Sequence, residues 1–139
     1  MSRVILIAAD KPLPLCNLQE IRTTRSTLSD GETFVIDYES GFKVDKHTYY
    51  RPAVDALGYS MKSFSYELEF EPLDKDLLSL RTYLQENFTS GETLELWSLW
   101  VGDEPHPELV RCSIPLKELD LAALEQLNYA DQLCITITI

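Results

Sequence analysis

Residues 63–71 read Ser-Phe-Ser-Tyr-Glu-Leu-Glu-Phe-Glu, an alternation of polar and large apolar side chains without exception. Because neighbouring side chains of a β-strand point to opposite faces, this segment predicts a strand with one buried and one polar face. Pro72 follows, and an apolar stripe at helical spacing then runs through Leu73, Leu77, Leu80, Leu84 and Phe88. Gly91 supplies a typical helix stop. The sequence therefore predicts a half-buried strand whose apolar side faces the following helix.

The remainder of the second half, defined here as residues 63–139, continues this pattern. Strands are predicted at 93–101, 109–114 and 133–139, and a helix at 116–127 with Asp120 as the cap of its regular part. The order β-α-β-β-α-β is that of a ferredoxin-like unit, with both helices on one face of the sheet and the first and third strands central. We therefore predict an α+β fold with a mixed or antiparallel sheet. Such a fold hosts many unrelated functions and indicates none of them.

The first half, residues 1–62, is expected to belong to the same single domain, because 139 residues is an ordinary domain size. Residues 4–9 are uniformly apolar and predict a strand buried on both faces. A further strand is predicted at 33–38 and a short helix at 53–57. Residues 15–33 stay ambiguous, because a few apolar residues at helical spacing are surrounded by threonines and serines. We expect this half to extend the sheet or to cover its open face.

The acidic charge of the chain lies almost wholly in its second half. The formal net charge is −11, yet residues 1–62 carry eight basic and eight acidic side chains. Residues 63–139 carry four basic and 15 acidic ones. This balance argues against binding to nucleic acid or to an anionic membrane. It favours a basic protein partner, since concentrated charge of one sign accelerates encounter with the opposite sign.

The sequence contains no recognisable catalytic or cofactor signature. The glycines are scattered singly, so we expect no phosphate loop and no cofactor, and no metal-ligand spacing is present. The three cysteines, Cys16, Cys112 and Cys134, form no close pair, which favours reduced thiols and a cytoplasmic protein. The longest apolar run has six residues, fewer than a membrane-spanning helix or a secretory signal needs.

A row of carboxylates marks the polar face of the strand at 63–71. Glu67 and Glu69 lie about 7 Å apart on such a strand, and Glu71 continues the row. Three interpretations stand: a solvated strand face, an internal contact with basic residues of the first half, or an acid/base pair or cation site. The basic residues available for the internal contact are Arg22, Arg25, Lys43, Lys46 and Arg51.

Further candidate binding residues lie outside the row. His47, Tyr49, Tyr50 and Arg51 cluster just before the predicted short helix, and tyrosine and arginine are frequent in binding hot spots. Trp97 and Trp100 stand three apart in a predicted strand and should point to opposite faces, one beneath the helices and the other beside the acidic row. The acidic loop 103–108, which also contains His106, is a weaker candidate for a metal ion, since its prolines stiffen the turn.

Three functional hypotheses follow from these residues. The first is a non-enzymatic protein-interaction module, for example an inhibitor or immunity-type protein that blocks a basic toxin or nuclease. The second is a small-ligand-binding or enzymatic domain with its site between the first half and the open sheet face. The third is a homo-oligomer that buries a sheet face or edge strand.

Overall fold

The computed structural model describes residues 2–102 and 105–139, which form nine strands and three α-helices. In chain order the strands are β1 (Ser2–Ala9), β2 (Cys16–Asn17), β3 (Glu20–Thr27), β4 (Thr33–Ser40), β5 (Lys43–Lys46), β6 (Phe64–Glu69), β7 (Thr93–Val101), β8 (Val110–Pro115) and β9 (Gln132–Thr138). The helices are α1 (Arg51–Ala56), α2 (Asp74–Asn87) and α3 (Leu121–Tyr129). Within the described part of the chain, no helix is long and apolar enough to cross a membrane.

Seven strands form one sheet in the order β2-β5-β6-β1-β7-β9-β8. The apolar segment predicted at 4–9 lies in its middle, where β1 pairs antiparallel with both β6 and β7. All neighbours in this sheet are antiparallel except β8 and β9, which run parallel. The prediction of an α+β fold with a mostly antiparallel mixed sheet is confirmed.

The finer prediction of a ferredoxin-like unit is not confirmed. In that unit the strands at 63–71 and 109–114 would be central, but β8 is the outermost strand of the sheet and pairs only with β9. The strand β6 pairs with β1 and β5, which both come from the first half. The local pattern predicted the strands and helices of the second half correctly but not the order of the strands in the sheet. The central position is taken by β1, the most apolar strand of the chain, which comes from the first half.

Buried side chains form two clusters on opposite faces of the sheet. One cluster contains Ile7 and Leu96 with residues of α2 and α3 such as Leu84 and Leu124. The other contains Leu6, Val54 of α1 and Trp97. Since Leu6 and Ile7 are consecutive in β1, their side chains point to opposite faces. The first half therefore supplies strands to the sheet and also a helix to one of its faces.

The N-terminus of α3 is fixed by its predicted cap. The Asp120 carboxylate accepts a hydrogen bond from the backbone N–H of Ala123 at 3.0 Å. A short 3₁₀ turn, Leu116–Glu118, precedes this cap, so the helix predicted at 116–127 is split into two parts. The aspartate thus decides where the regular helix begins.

The ambiguous segment at 15–33 is extended and not helical. It forms one side of a long hairpin in which Asn17 pairs with Lys43 and Glu20 pairs with Ser40, a single continuous register. The lower part of this hairpin, β2 and β5, belongs to the main sheet. The upper part, β3 and β4, forms a separate two-stranded sheet, and we call residues 20–40 the arm.

The junction between the two parts of the hairpin requires a glycine. Gly41 has a φ of +132°, and a Cβ added there would lie 3.3 Å from both Gln19 Cα and Leu18 O. Any other residue here would have a strained backbone conformation, and its Cβ would crowd the backbone of Leu18 and Gln19. This close approach allows the hairpin to leave the sheet while keeping its register.

Candidate functional site

An opening within the main sheet contains part of the predicted acidic row. The strands β1 and β6 are paired from Leu6–Glu67 to Ala9–Phe64 and are unpaired beyond this point. A cavity of about 610 Å³ lies there, and we call it the inter-strand cleft. Its lining comprises Arg3, Val4, Ile5, Lys43, Asp45, Tyr50, Glu67, Leu68, Glu69 and Phe70.

Carboxylates dominate the charge of one side of this cleft. The pairs Lys43–Glu69 and Asp45–Glu67 face each other across β5 and β6, which places these side chains on one face. Burial, followed by the nearby Glu69 and Asp45 charges, raises the pKa of the Glu67 carboxyl above its usual value. Lys43 Nζ lies 3.4 Å from Asp45 Oδ2 and 4.0 Å from Glu69 Oε2, which offsets part of the repulsion.

Glu71 lies outside the cleft and contacts the arm. Its carboxylate accepts a hydrogen bond from Ser40 Oγ and lies 3.8 Å from the Arg22 guanidinium. The acidic row therefore meets basic residues of the first half at Arg22 and Lys43. For the other predicted basic partners, Arg25, Lys46 and Arg51, the described residues show no ion pair with the row.

His47 and Arg51 meet at a buried serine, away from the cleft. The Nδ1 atom of His47 is 3.0 Å from Ser65 Oγ, and Arg51 donates to the same oxygen at 3.3 Å and to the His47 carbonyl at 2.9 Å. Burial and the Arg51 charge lower the pKa of His47, so its ring is neutral near pH 7. The His47 Nε2 atom is buried without a hydrogen-bond partner among the described residues. A serine beside a histidine is the pairing that nucleophilic catalysis uses, but this hydroxyl is buried and held by Arg51.

The two tyrosines divide between solvent and core. Tyr49 is 82% exposed, and its ring packs edge-on against Tyr50 at a centroid distance of 4.8 Å. Tyr50 packs against the cluster around Trp97 and also lines the inter-strand cleft. Tyr50 therefore joins the acidic residues of the predicted site, whereas Tyr49 does not.

The two tryptophans lie on opposite faces, as their spacing predicts, but the buried one is on the unexpected face. Trp97 is fully buried on the side of α1, where it stacks on Tyr59, and its Nε1 donates to Glu95. Trp100 is half-buried beside Arg3, whose guanidinium lies 4.8 Å from the ring centroid, and donates to Asp131. Residues 50–61 cover part of the face opposite α2 and α3, which is one of the two arrangements expected of the first half.

The arm is the surface that the sequence did not reveal. Its six large apolar side chains are all exposed, namely Ile21, Leu28, Phe34, Val35, Ile36 and Tyr38. Phe34, Ile36 and Tyr38 share one face of β4 at every second position. The same alternation continues into Phe42 and Val44, which are buried in the core. This pattern predicted a strand at 33–38. It could not show that the apolar row continues beyond the part of the strand that the rest of the protein buries.

A small pocket of about 200 Å³ lies at the base of the arm. Tyr38 and Phe70 supply aromatic surface, and Glu39, Glu69 and Glu71 supply carboxylates. No residue of its lining is basic, although Arg22 approaches Glu71 from outside it. We call this the arm-base pocket.

No protein-family model, curated protein or solved structure matches this chain. Its possible chemistry therefore has to be argued from the sites themselves. Across residues 2–102 and 105–139, no group of three or more His, Cys, Asp or Glu side chains is placed to hold a metal ion. Asp103 and Glu104 of the candidate metal loop lie outside the described residues. The surfaces that remain are an apolar arm, an acidic pocket at its base and the inter-strand cleft.

Proposed function

We propose that this protein is a non-enzymatic interaction module that binds a basic protein partner through the arm. The observation that carries this proposal is the row Phe34, Ile36 and Tyr38, which are 39%, 51% and 45% exposed. An isolated two-stranded hairpin is marginally stable in water, and its free edges can pair with another chain. An arm with this composition gains most when a partner covers its apolar face.

The chemistry of the arm resembles that of an interface core. Aromatic residues are enriched in binding hot spots, and an exposed apolar patch bounded by polar residues is typical of a contact surface. The opposing residues on the same face, Arg22, Thr24 and Ser26, supply hydrogen-bonding groups beside the apolar row. A partner would therefore bury apolar surface while retaining polar contacts along the opposing strand.

The charge of the arm supports a basic partner. The arm carries five carboxylates, Glu20, Asp30, Glu32, Asp37 and Glu39, against two guanidinium groups. Its base adds Glu69 and Glu71 in the arm-base pocket. A lysine or arginine of a partner would find carboxylates and an aromatic wall there. A second copy of this chain, with its own charge of −11, is a poorer occupant.

The inhibitor or immunity-type role is one form of this interaction. A projecting arm can enter a concave site on a basic toxin or nuclease, while the folded body blocks its surroundings. The three free cysteines support the expectation of a cytoplasmic protein. In that compartment an intracellular basic enzyme would be accessible to the arm.

A photo-crosslinking amino acid at position 36 tests this proposal in the cells that produce the protein. We expect one discrete crosslinked species whose protein is basic and whose binding to the purified chain weakens steeply with salt. The matched control places the same amino acid at Leu78, which is 67% exposed on α2. Position 78 should give no such species.

Two variants then separate apolar contact from charge. Ile36→Ser with Tyr38→Ser should abolish binding, whereas Glu39→Gln with Glu69→Gln should mainly slow association. Crosslinking only to a second copy of the chain would contradict the basic-partner proposal and favour self-association. Equal crosslinking from positions 36 and 78 would contradict a role for the arm.

A further inference from the structure

The inter-strand cleft has the form of a sheet with a strand missing. No pairing joins residues 2–5 of β1 to residues 68–70, and among the described residues no backbone hydrogen bond of a turn or loop involves either stretch. Over the same stretch β1 pairs only with β7, and β6 pairs only with β5. The edges of β1 and β6 that face each other across the cleft, which we call its lips, are therefore unpaired. An unpaired strand edge is a template for another extended chain.

The two faces of the cleft differ in character. Glu67, Glu69 and Asp45 lie towards one face, which is also the side of Val4 and Tyr50. The residues that alternate with them, Ile5, Leu68 and Phe70, pack on the side of α2 and α3. An extended chain also points successive side chains to opposite faces. One face would therefore meet three carboxylates beside Lys43, and the other would meet apolar groups beside Arg3.

We infer that the inter-strand cleft binds an extended peptide segment in which basic and apolar residues alternate. The peptide adds a strand between β1 and β6, with its backbone hydrogen-bonded to both lips. Its lysine or arginine side chains lie beside Glu67, Glu69 and Asp45, and its apolar side chains lie beside Leu68 and Phe70. About three residues of peptide fit the unpaired length, since each residue of a strand spans about 3.3 Å.

The charges of the cleft favour this occupant over an acidic one. Burial, followed by the Glu69 and Asp45 charges, raises the pKa of Glu67, so the negative charge is disfavoured at this position. A cationic side chain placed there relieves the repulsion, whereas an acidic segment such as a second copy of the arm increases it. This site shares Glu69 and Phe70 with the arm-base pocket. Asp45 and Glu67 line only the cleft, and Ile36 and Tyr38 lie outside it, so variants of these residues test the two proposals independently.

A defined peptide, acetyl-Lys-Val-Lys-Val-Lys-Val-amide, is a direct probe in an amide NMR titration. We expect shifts and slowed hydrogen exchange at residues 3–5 and 68–70, where new backbone hydrogen bonds form. A peptide of the same composition but ordered Lys-Lys-Lys-Val-Val-Val should bind roughly tenfold more weakly, because its charges fall on both faces. Methylating the backbone nitrogens should also weaken binding roughly tenfold.

Variants assign the site on the protein. Glu67→Gln with Asp45→Asn, two residues that line only the cleft, should weaken binding of the alternating peptide about fivefold to tenfold. Glu118→Gln with Glu125→Gln, which removes two exposed carboxylates elsewhere, should leave it unchanged. Ile36→Ser with Tyr38→Ser should also bind the peptide normally, because the arm is not part of this site.

Three results would overturn the inference. Equal affinity for the alternating and reordered peptides would reduce the interaction to general electrostatic attraction. Undiminished binding of the methylated peptide would show that the strand edges do not pair with it. No shift at residues 3–5 or 68–70 with millimolar peptide would show that the cleft does not admit a chain.

Discussion

At the scale of single residues, Glu67 shows how the acidic row lowers the stability of the folded state. Its pKa in the folded protein is raised by burial and by Glu69 and Asp45. A group with a raised folded pKa favours folding below its usual value of 4.5, and that contribution is lost as the pH rises through the folded pKa. Ionisation of Glu67 therefore lowers the stability of the folded state.

We expect Glu67→Gln to raise the free energy of unfolding at pH 7 and to lose this advantage as the pH falls below about 4. Urea unfolding of both proteins at pH 7 and pH 3.5 measures the difference. Glu118→Gln, an exposed site after β8, controls for the loss of one negative charge. A Glu67→Gln protein that is less stable than the wild type at pH 7 would contradict the assignment.

The histidine site carries a different lesson at the same scale. His47, Arg51 and Ser65 are separated by up to 18 positions in sequence and meet because β6 pairs with β5, which leads into α1. The sequence identified His47 and Arg51 as candidates but offered no sign of Ser65. A contact between two strands can be inferred only when their pairing is known.

At the scale of elements, the long hairpin divides one apolar row into a structural part and an exposed part. Phe42 is 1% exposed and its ring lies 5.7 Å from that of Tyr83, whereas Ile36 is 51% exposed. Phe42→Ala should cost ~3–5 kcal/mol of stability, because it leaves a cavity in a packed core. Ile36→Ala should cost less than about 0.5 kcal/mol.

Urea unfolding monitored by tryptophan fluorescence checks both values, since Trp97 lies in the core and not on the arm. Amide exchange supplies a second readout, because the arm should exchange faster than β1 or β7. A large loss of stability for Ile36→Ala would mean that the arm is packed on the body in solution, which would remove the basis for its role as a contact surface.

Elements with strong local patterns were predictable, and their arrangement was not. The strand Thr93–Val101 and the helix Asp74–Asn87 follow from apolar spacing and from stop residues that act locally. The order of strands depends on which segments find each other, and a periodic pattern carries no partner information. For the same reason, residues 15–33 stay ambiguous in sequence, since the spacing of Leu18, Ile21 and Leu28 hints at a helical turn although the segment is extended.

The acidic row illustrates the same division within the candidate site. Alternation correctly placed Glu67 and Glu69 on one face of a strand. The sequence offers five basic residues as partners for this row but does not show which of them contact it. The contacts depend on the pairing of β5 with β6 and on the position of Arg22 at the base of the arm. The inter-strand cleft could not be anticipated, since it arises where two paired strands diverge.

At the scale of the whole molecule, internal ion pairs neutralise only part of the negative charge of this chain, whose net charge is −11. The described residues form seven such pairs, each with at least one side chain that is a third or more exposed. Exposed pairs contribute little, with a median of about 0–1 kcal/mol. We therefore expect repulsion among the remaining carboxylates to outweigh these pairs, since the folded state brings the charges closer together.

Salt should consequently stabilise this protein. Raising NaCl from about 10 to 300 mM shortens the screening length from roughly 30 Å to below 10 Å, which weakens repulsion across the whole molecule. We expect the urea midpoint to rise over this range. A variant with Glu118→Lys and Glu125→Lys, two exposed sites, has a net charge of −7 by formal count from −11 and should show a smaller rise. A midpoint that falls with salt would show that the ion pairs at Lys11, Lys62 and Lys75 outweigh the repulsion. The acidic charge would then be compensated within the protein, which would weaken the argument for a basic partner.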